Sequence, residues 1–421
     1  MLLRRSRRRT TRSRMAEAAP AIAARPDARL WRITLALFLA GFATFSLIYS
    51  VQPLLALFAR EFRLDAAASS LALSATTAAL AISILAMGAF SETLGRRGLM
   101  FGSICGAALL NLGCAVAPSW TVLLVARGLE GLVLGGVPAV AMAYLAEEAP
   151  PERLGVAMGL YVSGTAFGGM TGRVAMGIMT QLWSWRVALG VVSVVDLVAA
   201  AAFVILLPPS RHFVRRAGLS IVTHLSAWRG HLVSPALAML FLAAFLAMGA
   251  FVTVYNYVGF RLAAPPYSLG QAQIGLIFLI YLVGMVASSW AGALADRFGR
   301  APILVLGALI ALAGLGLSLF QSLAVVILGV AGLTVGFFVA HSVASGWVGR
   351  LASANRSHAA SLYLLAYYMG ASVLGSAGGW FWRWGGWTAV TGCCCAAMLG
   401  VLGLALALGR LAPAPRTAPS P

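Results

Sequence analysis

Apolar runs of about 20 residues, parted by short polar or basic breaks, fill almost the whole chain. They predict membrane-crossing helices near 33–57, 67–90, 98–117, 120–144, 154–180, 185–207, 235–258, 271–295, 301–320, 322–345, 358–381 and 386–409, about twelve in all. Two of these runs carry a periodic stripe. In the first, Phe38, Phe42, Phe45, Tyr49 and Gln52 fall at spacings of 4, 3, 4 and 3, which lays an aromatic face with a polar end along a helix. In the seventh, Met248, Phe251 and Tyr255 keep the same phase, with Asn256 beside them. The pattern predicts an all-α membrane protein whose first partner is the lipid bilayer.

The breaks repeat as well. Between the second and third runs lies Gly88-Ala-Phe-Ser-Glu92-Thr-Leu-Gly95-Arg96-Arg97, and between the eighth and ninth lies Gly292-Ala-Leu-Ala-Asp296-Arg297-Phe-Gly299-Arg300. A loop this short between two membrane-length helices needs glycine to turn, and its acid can pair with neighbouring arginines or cap a helix start. Leu160-Tyr161 recurs as Leu362-Tyr363, Gly168 as Gly370 and Trp185 as Trp387, at a near-constant offset of roughly 200 positions. Two parallel repeats leave this trace. The polar segment 208–234 falls between them, so the expected organisation is a basic tail (1–32), an N-terminal bundle (33–207), a linker (208–234), a C-terminal bundle (235–409) and a second tail (410–421).

With 421 residues, 61% hydrophobic and 10% charged, and a mean hydropathy of +0.92, the chain has too little polar surface for a soluble globule. A formal charge of +19 would suggest nucleic acid in a soluble protein. Here the bases flank apolar runs, so they read as membrane orientation and no nucleic-acid partner is expected. Arginines crowd the loops on one side of the predicted topology, while Arg60, Arg63, Arg186, Arg261 and Arg383 fall on the other. The rule that cytoplasmic loops are basic then puts both termini in the cytoplasm. The run from Ile33 to Phe58 is too long for a signal-peptide core, so the arginine-rich tail is expected to be retained, with Met15 as an alternative start. All five cysteines lie inside apolar runs and read as packing residues. No cofactor or metal is expected.

Intramembrane charges are the candidates for function, because burying an arginine costs about 2.5 to 3.5 kcal/mol on insertion scales. Arg127 lies roughly 10 Å inside the fourth run at 1.5 Å per residue, with Glu130 one turn away on the same face. Arg173 follows a glycine-rich stretch in the fifth run, and Asp196 sits mid-way along the sixth. His341 lies near the inner end of the tenth. The competing readings are a self-neutralising Arg127–Glu130 brace, a hydrogen-bonded Asp196 and a packing histidine.

The duplicated loop resembles the G-x-L-a-D-r-x-G-r-r loop between helices 2 and 3, and again 8 and 9, of the major facilitator superfamily. Phe90 and Glu92 depart from it in the first copy and Ala301 in the second. Arg127-Gly-Leu-Glu130-Gly131 resembles the fourth-helix signature of its drug and proton antiporters, with glutamate where glutamine is usual. The fifth run resembles their glycine-rich signature but has Thr165 where proline is expected. The stretches GFATFSLIYSVQPLL and AHSVASGW resemble a bacterial inner-membrane efflux-permease subgroup near the arabinose-efflux-like proteins.

The resemblance implies two pseudo-symmetric six-helix bundles. It implies a central cavity lined by helices 1, 4, 7 and 10, with Phe42, Phe45, Tyr49, Gln52, Met248, Phe251, Tyr255, Asn256, Tyr161 and Tyr363 as candidate walls. It assigns gating to Gly88, Glu92, Gly95, Arg96, Arg97, Gly292, Asp296, Arg297, Gly299 and Arg300, and proton coupling to some of Arg127, Glu130, Arg173, Asp196 and His341. The expected function is proton-coupled export of a small sugar or drug-like molecule by a monomer. An importer of the same fold is the alternative. No HExxH, GxSxG or Walker loop supports an enzyme, and unequal charges in the two repeats suit alternating access better than a channel.

Overall fold

A computed structural model describes residues 28–150, 152–210, 221–352 and 355–411, except for the side chains of 88–94 and 221. The expectations for most of the first tail, for 211–220, for 412–421, and for Gly88 and the Glu92 side chain lie outside the described residues. Among the described residues there is no strand. The long helices are α1 (Ala28–Glu61), α2 (Ala66–Leu94), α3 (Arg96–Ala115), α4 (Trp120–Glu148), α5 (Leu154–Leu182) and α6 (Trp185–Leu206). After a short connecting helix, Ile221–Val233, come α7 (Pro235–Ala263), α8 (Gln271–Phe298), α9 (Arg300–Leu317) and α10 (Leu323–Leu351). The last stretch, Arg356–Leu411, loses helical geometry at Gly385 and Gly386, which divides it into α11 (356–384) and α12 (387–411).

Ten stretches are long and apolar enough to cross a bilayer, the undivided Arg356–Leu411 counting as one. The glycine-diluted α5 equals them in length at 29 residues. Adding it and dividing the last stretch gives the twelve spans that the hydropathy pattern predicts.

Local chemistry starts and stops these helices. Asp65, Ser119 and Ser184 accept the backbone N–H groups of Ala68, Val122 and Val187, satisfying donors that a helix start leaves free. Helix α1 is not continuous as the apolar run suggested. It loses its α-helical path after Tyr49 and passes through a tighter turn at Gln52–Leu54. Pro53 lacks an N–H and cannot serve the Tyr49 carbonyl, so the ladder breaks here. The duplicated loops turn at equivalent glycines, Gly95 with φ 84° and Gly299 with φ 90°, each ending one helix and starting the next. A side chain at either would be strained.

The chain forms two bundles, α1–α6 and α7–α12. The repeat is visible in the packing. A Cβ at Gly168 of α5 would lie 2.1 Å from the Phe42 carbonyl oxygen of α1, and one at its repeat partner Gly370 of α11 would lie 2.0 Å from the Phe245 oxygen of α7. Each half therefore joins its first and fifth helices through a glycine that lets the backbones touch. The connecting helix docks on the C-terminal half, where His224 Nδ1 and His358 Nε2 share a 2.8 Å hydrogen bond and His231 Nε2 bonds the Asn355 carbonyl at 3.2 Å.

The expected outcome for Gly168→Ala and Gly370→Ala is a loss of about 1–3 kcal/mol each through overpacking. Gly190→Ala, where a Cβ meets nothing within 4 Å, should cost nothing. Apparent melting temperatures of the purified variants in detergent check this. Equal values for all three would refute the glycine contacts.

Candidate functional site

The hydrogen bonds that cross between the halves, among the described residues, all lie at the end away from the duplicated loops. Gln271 Nε2 of α8 donates to the Pro53 carbonyl at 2.6 Å, and the Ala272 N–H to Gln181 Oε1 of α5 at 2.8 Å. Ser372 Oγ of α11 donates to the Ser74 carbonyl of α2 at 2.9 Å, and Arg383 to Asp65 Oδ2 at 3.2 Å. Helices α5 and α8 meet at paired glycines, where a Cβ on Gly177 would lie 2.6 Å from the Gly275 Cα. The halves thus share a seam at one end, opposite the basic loops.

Arg127 lies just inside this seam and is fully buried. Its Nε donates to the Ala72 carbonyl of α2 at 3.0 Å. Nη1 donates to Glu130 Oε2 at 2.6 Å, to the Leu47 carbonyl at 3.2 Å and to Asn111 Oδ1 of α3 at 3.4 Å. Nη2 donates to the Ile48 carbonyl at 2.6 Å. Leu47 and Ile48 stand in the last turn before the α1 break, where carbonyls lack intrahelical donors. One guanidinium therefore caps α1 and ties it to α2, α3 and α4. The cation also complements the negative end of that helix segment.

Asn111 Nδ2 continues the network to Ser193 Oγ of α6 at 3.0 Å. One turn further along α6, Asp196 is fully buried and neither carboxylate oxygen makes a hydrogen bond of ordinary geometry. The polar groups around it are Ser46 and Glu130. Glu130 itself leaves Oε1 without a hydrogen-bond partner.

Arg173, grouped with Arg127 and Glu130 by sequence depth, shares no hydrogen bond or ion pair with them among the described residues. It is buried at 1% exposure and makes no ion pair among the described residues. Nε donates to Gln52 Oε1 at 2.7 Å and Nη1 to the Gly169 carbonyl at 2.6 Å. The guanidinium carbon lies 3.9 Å from the Tyr49 ring centre, 4.8 Å from that of Tyr281 and 5.1 Å from that of Phe278. Gln52 Nε2 in turn donates to Asn256 Oδ1 of α7 at 2.8 Å, across the seam. The sequence pointed to Gln52 and Asn256 as separate cavity walls; the structure makes them one bridge. Tyr281 and Phe278 were missed, although a tyrosine within an apolar run was available as a signal.

The remaining candidates divide by half. Phe42 packs on Phe167 at 6.2 Å between centroids, and Phe45 on Tyr49 at 6.0 Å. In the C-terminal half Phe251 stacks on Phe337 at 4.0 Å, Tyr255 shares a 2.8 Å hydrogen bond with Thr334, and Met248 is buried. These face α8 and α10. Tyr363 bonds His341 Nδ1 at 3.0 Å, with Tyr367 4.8 Å from the imidazole centre. Tyr161 is buried on α5 with no ring contact to them among the described residues.

At the opposite end each loop reaches the helix two further on. Arg96 pairs with Glu147 at the end of α4, and Arg97 donates to the Val204 carbonyl. In the second copy the loop's acid makes the pair. Asp296 accepts from Arg300 at 3.3 Å and from Arg350 at the end of α10 at 2.9 Å. Arg297 lies over Phe298, and a Cβ at Gly292 would meet nothing within 4 Å. The Asp296–Arg350 pair is exposed, and pairs of this kind are worth about 0–1 kcal/mol.

Two bundles related by a repeat and joined at one end are the architecture of repeat-built membrane transporters. The chain belongs to the major facilitator superfamily, whose family model, described as Major Facilitator Superfamily, matches residues 33–271. It is 45% identical over 367 residues to the MFS-type transporter YybF of Bacillus subtilis (strain 168), covering 86% of this chain and 89% of that one. It is 43% identical over 359 residues to the inner membrane transport protein YnfM of Escherichia coli (strain K12), covering 85% and 86%. Among solved structures it is similar to the nucleoside transporter NupG, with a TM-score of 0.72 at 14% identity over 90% of this chain and 99% of that one. A peptide transporter POT in complex with sulfate gives 0.73 at 14% over 91% and 94%. At such identity the two structures speak for the fold alone. The protein is a multi-pass membrane protein and a secondary transporter of this superfamily.

Removing Arg127 should unfasten four helices. Arg127→Leu, which copies Leu328 at the repeat position, strands Glu130 and the Ile48 carbonyl while Leu47 keeps the Ser50 hydroxyl, and a loss of about 3–5 kcal/mol is expected. Glu130→Gln keeps an acceptor for Nη1 and should cost less than half of that. Thermal unfolding of the purified proteins in one detergent decides it; an Arg127→Leu protein as stable as wild type would remove the hub.

Proposed function

We propose that the protein exports a small organic molecule against inward proton flow across the bacterial inner membrane. It acts as a monomer, since both halves of the site come from one chain. The one-sided seam carries this reading: the halves meet around Arg173, Gln52 and Asn256 and make no hydrogen bond at the loop end among the described residues. With both termini in the cytoplasm, as the arginine distribution supports, the hydrogen-bonded seam faces outward. The name of the Escherichia coli relative supports the inner membrane. Per 100 mV one entering proton supplies about 2.3 kcal/mol, more than the roughly 1.4 kcal/mol that a tenfold substrate gradient requires.

In this reading the proton rides on Glu130, whose Oε1 faces no donor, and Arg127 holds the carboxyl in place. Asp196 and His341 are the successors if Glu130 is not the carrier. The loops act as conformational latches at the cytoplasmic end. Accumulation of a substrate by everted vesicles under an imposed pH gradient, and its absence from right-side-out vesicles, tests export. The reverse pattern would identify an importer.

Asp296→Asn should slow turnover several-fold while leaving half-saturation nearly unchanged, because Asp296 touches Arg300 and Arg350 and no cavity residue. A large affinity loss with normal turnover would sink the latch role.

Glu130→Gln should retain substrate exchange at equilibrium yet abolish accumulation driven by the pH gradient. Transport still fully driven in that variant would move the coupling role to Asp196 or His341.

A further inference from the structure

Arg173 brings a charge to the seam that nothing in the seam neutralises. The nearest acid by sequence depth, Glu130, is already held by Arg127, and no carboxylate pairs with Arg173 among the described residues. Packing alone does not call for it. A leucine would fill similar space among Tyr49, Phe278 and Tyr281 without the cost of an unpaired intramembrane cation.

Besides the Gly169 carbonyl of its own helix, Arg173 holds a side-chain carboxamide, whose orientation is determined. Arg173 Nε is a donor, so the Gln52 atom facing it must be Oε1. Gln52 Nε2 then faces Asn256, which must present Oδ1. The consequence is a buried Asn256 Nδ2 with no acceptor among the described residues. Two donors from opposite halves, the guanidinium and this amide, are thus separated by one side-chain amide that supplies a single acceptor oxygen. A carboxylate has the same planar shape and two acceptor oxygens.

We propose that the transported molecule is an organic anion. Its carboxylate or sulfonate takes the place of the Gln52 carboxamide between Arg173 of the N-terminal half and Asn256 of the C-terminal half, while its body lies against the surrounding rings. This rests on the alternating-access reading above. In the present conformation Gln52 occupies the position. When the halves part at the seam, Tyr281 and Phe278 leave with the C-terminal half, and Arg173 faces the opening with Tyr49 and Gln52 still beside it. An anion held at both residues spans the seam and favours its closing. Rotation of the Asn256 amide presents Nδ2 to the second oxygen and relieves the donor that is stranded now.

The test is thermal stabilisation of the purified full-length protein by a panel of aromatic and aliphatic carboxylates and sulfonates. Phenylacetate and 4-toluenesulfonate lead the panel, each run beside its uncharged amide and an amine of matched shape. Anions should stabilise the wild type, and their amides and amines should not. Arg173→Gln should weaken anion binding roughly tenfold or more, and Arg173→Lys should restore part of it. Asn256→Asp should weaken it by repulsion. Ligand-free melting temperatures close to wild type identify variants that fold, and a poorly folded Arg173→Gln hands the decision to Asn256→Asp. Stabilisation by amines or amides, by no anion of the panel, or by anions undiminished in the folded variants overturns the assignment. Counterflow of the binding anions in proteoliposomes separates the two readings. Binding without exchange would leave the anion site standing and overturn transport through it, whereas exchange of neutral or cationic compounds alone would do the opposite.

Discussion

A buried arginine must find acceptors inside the protein, because the surrounding lipid offers none. Arg127 finds them where α1 breaks. The Pro53 turn leaves the carbonyls of Leu47 and Ile48 at a helix end, and the guanidinium takes both together with Ala72, Asn111 and Glu130. The break and the charge explain each other. Without the arginine the broken helix would bury the Ile48 carbonyl without its donor, leaving only the Ser50 hydroxyl to serve Leu47, and without the break the arginine would lack acceptors from α1. Next to that junction Tyr49 and Gln52 meet Arg173, and Gln52 crosses to Asn256, so the placement of the bridge follows from a capping contact a few residues away.

The two halves share a plan but not a chemistry. Each joins its first and fifth helices through a glycine, Gly168 or Gly370, and each turns its loop at a positive-φ glycine. Within the spans, however, the N-terminal half holds Arg127, Glu130, Arg173 and Asp196, whereas the C-terminal half fills the corresponding space with stacked rings and His341. A charged face meeting an aromatic face can be brought together by cation–π contacts, here Arg173 against Tyr281 and Phe278, which need no fixed ion pair to break when the seam opens.

Much of this was legible in the chain. The spans followed from hydropathy because each needs about 20 apolar residues whatever its partners, and the duplicated loops followed from glycine and charge at fixed positions. The Arg127–Glu130 pair was readable because residues three apart share a helix face. What could not be read were contacts set by the rotation of one helix against another. Gln52 and Asn256 are 204 residues apart and belong to different halves, and nothing local marks them as partners. Arg173 was placed with Arg127 by depth alone, but depth does not say which way a side chain leaves the helix. The break in α1 was present in the sequence as Pro53, yet hydropathy runs straight through it, because a proline is apolar enough not to interrupt the signal.

The latch pairs show why a repeat preserves geometry more readily than residue identity. In the first half the loop's base, Arg96, reaches an acid at the end of α4, Glu147; in the second the loop's acid, Asp296, reaches a base at the end of α10, Arg350. Each loop carries both signs, so either member can supply the attraction to the helix end. The same freedom does not extend to the seam. There Arg173 faces its half's own Gln52 and the other half's rings, with no second charge to exchange, and the field it projects toward the opening has a definite sign. In the proposed transport cycle, paired loops serve a path for any molecule, whereas a guanidinium at its centre with no ion-pair partner among the described residues selects what passes along it.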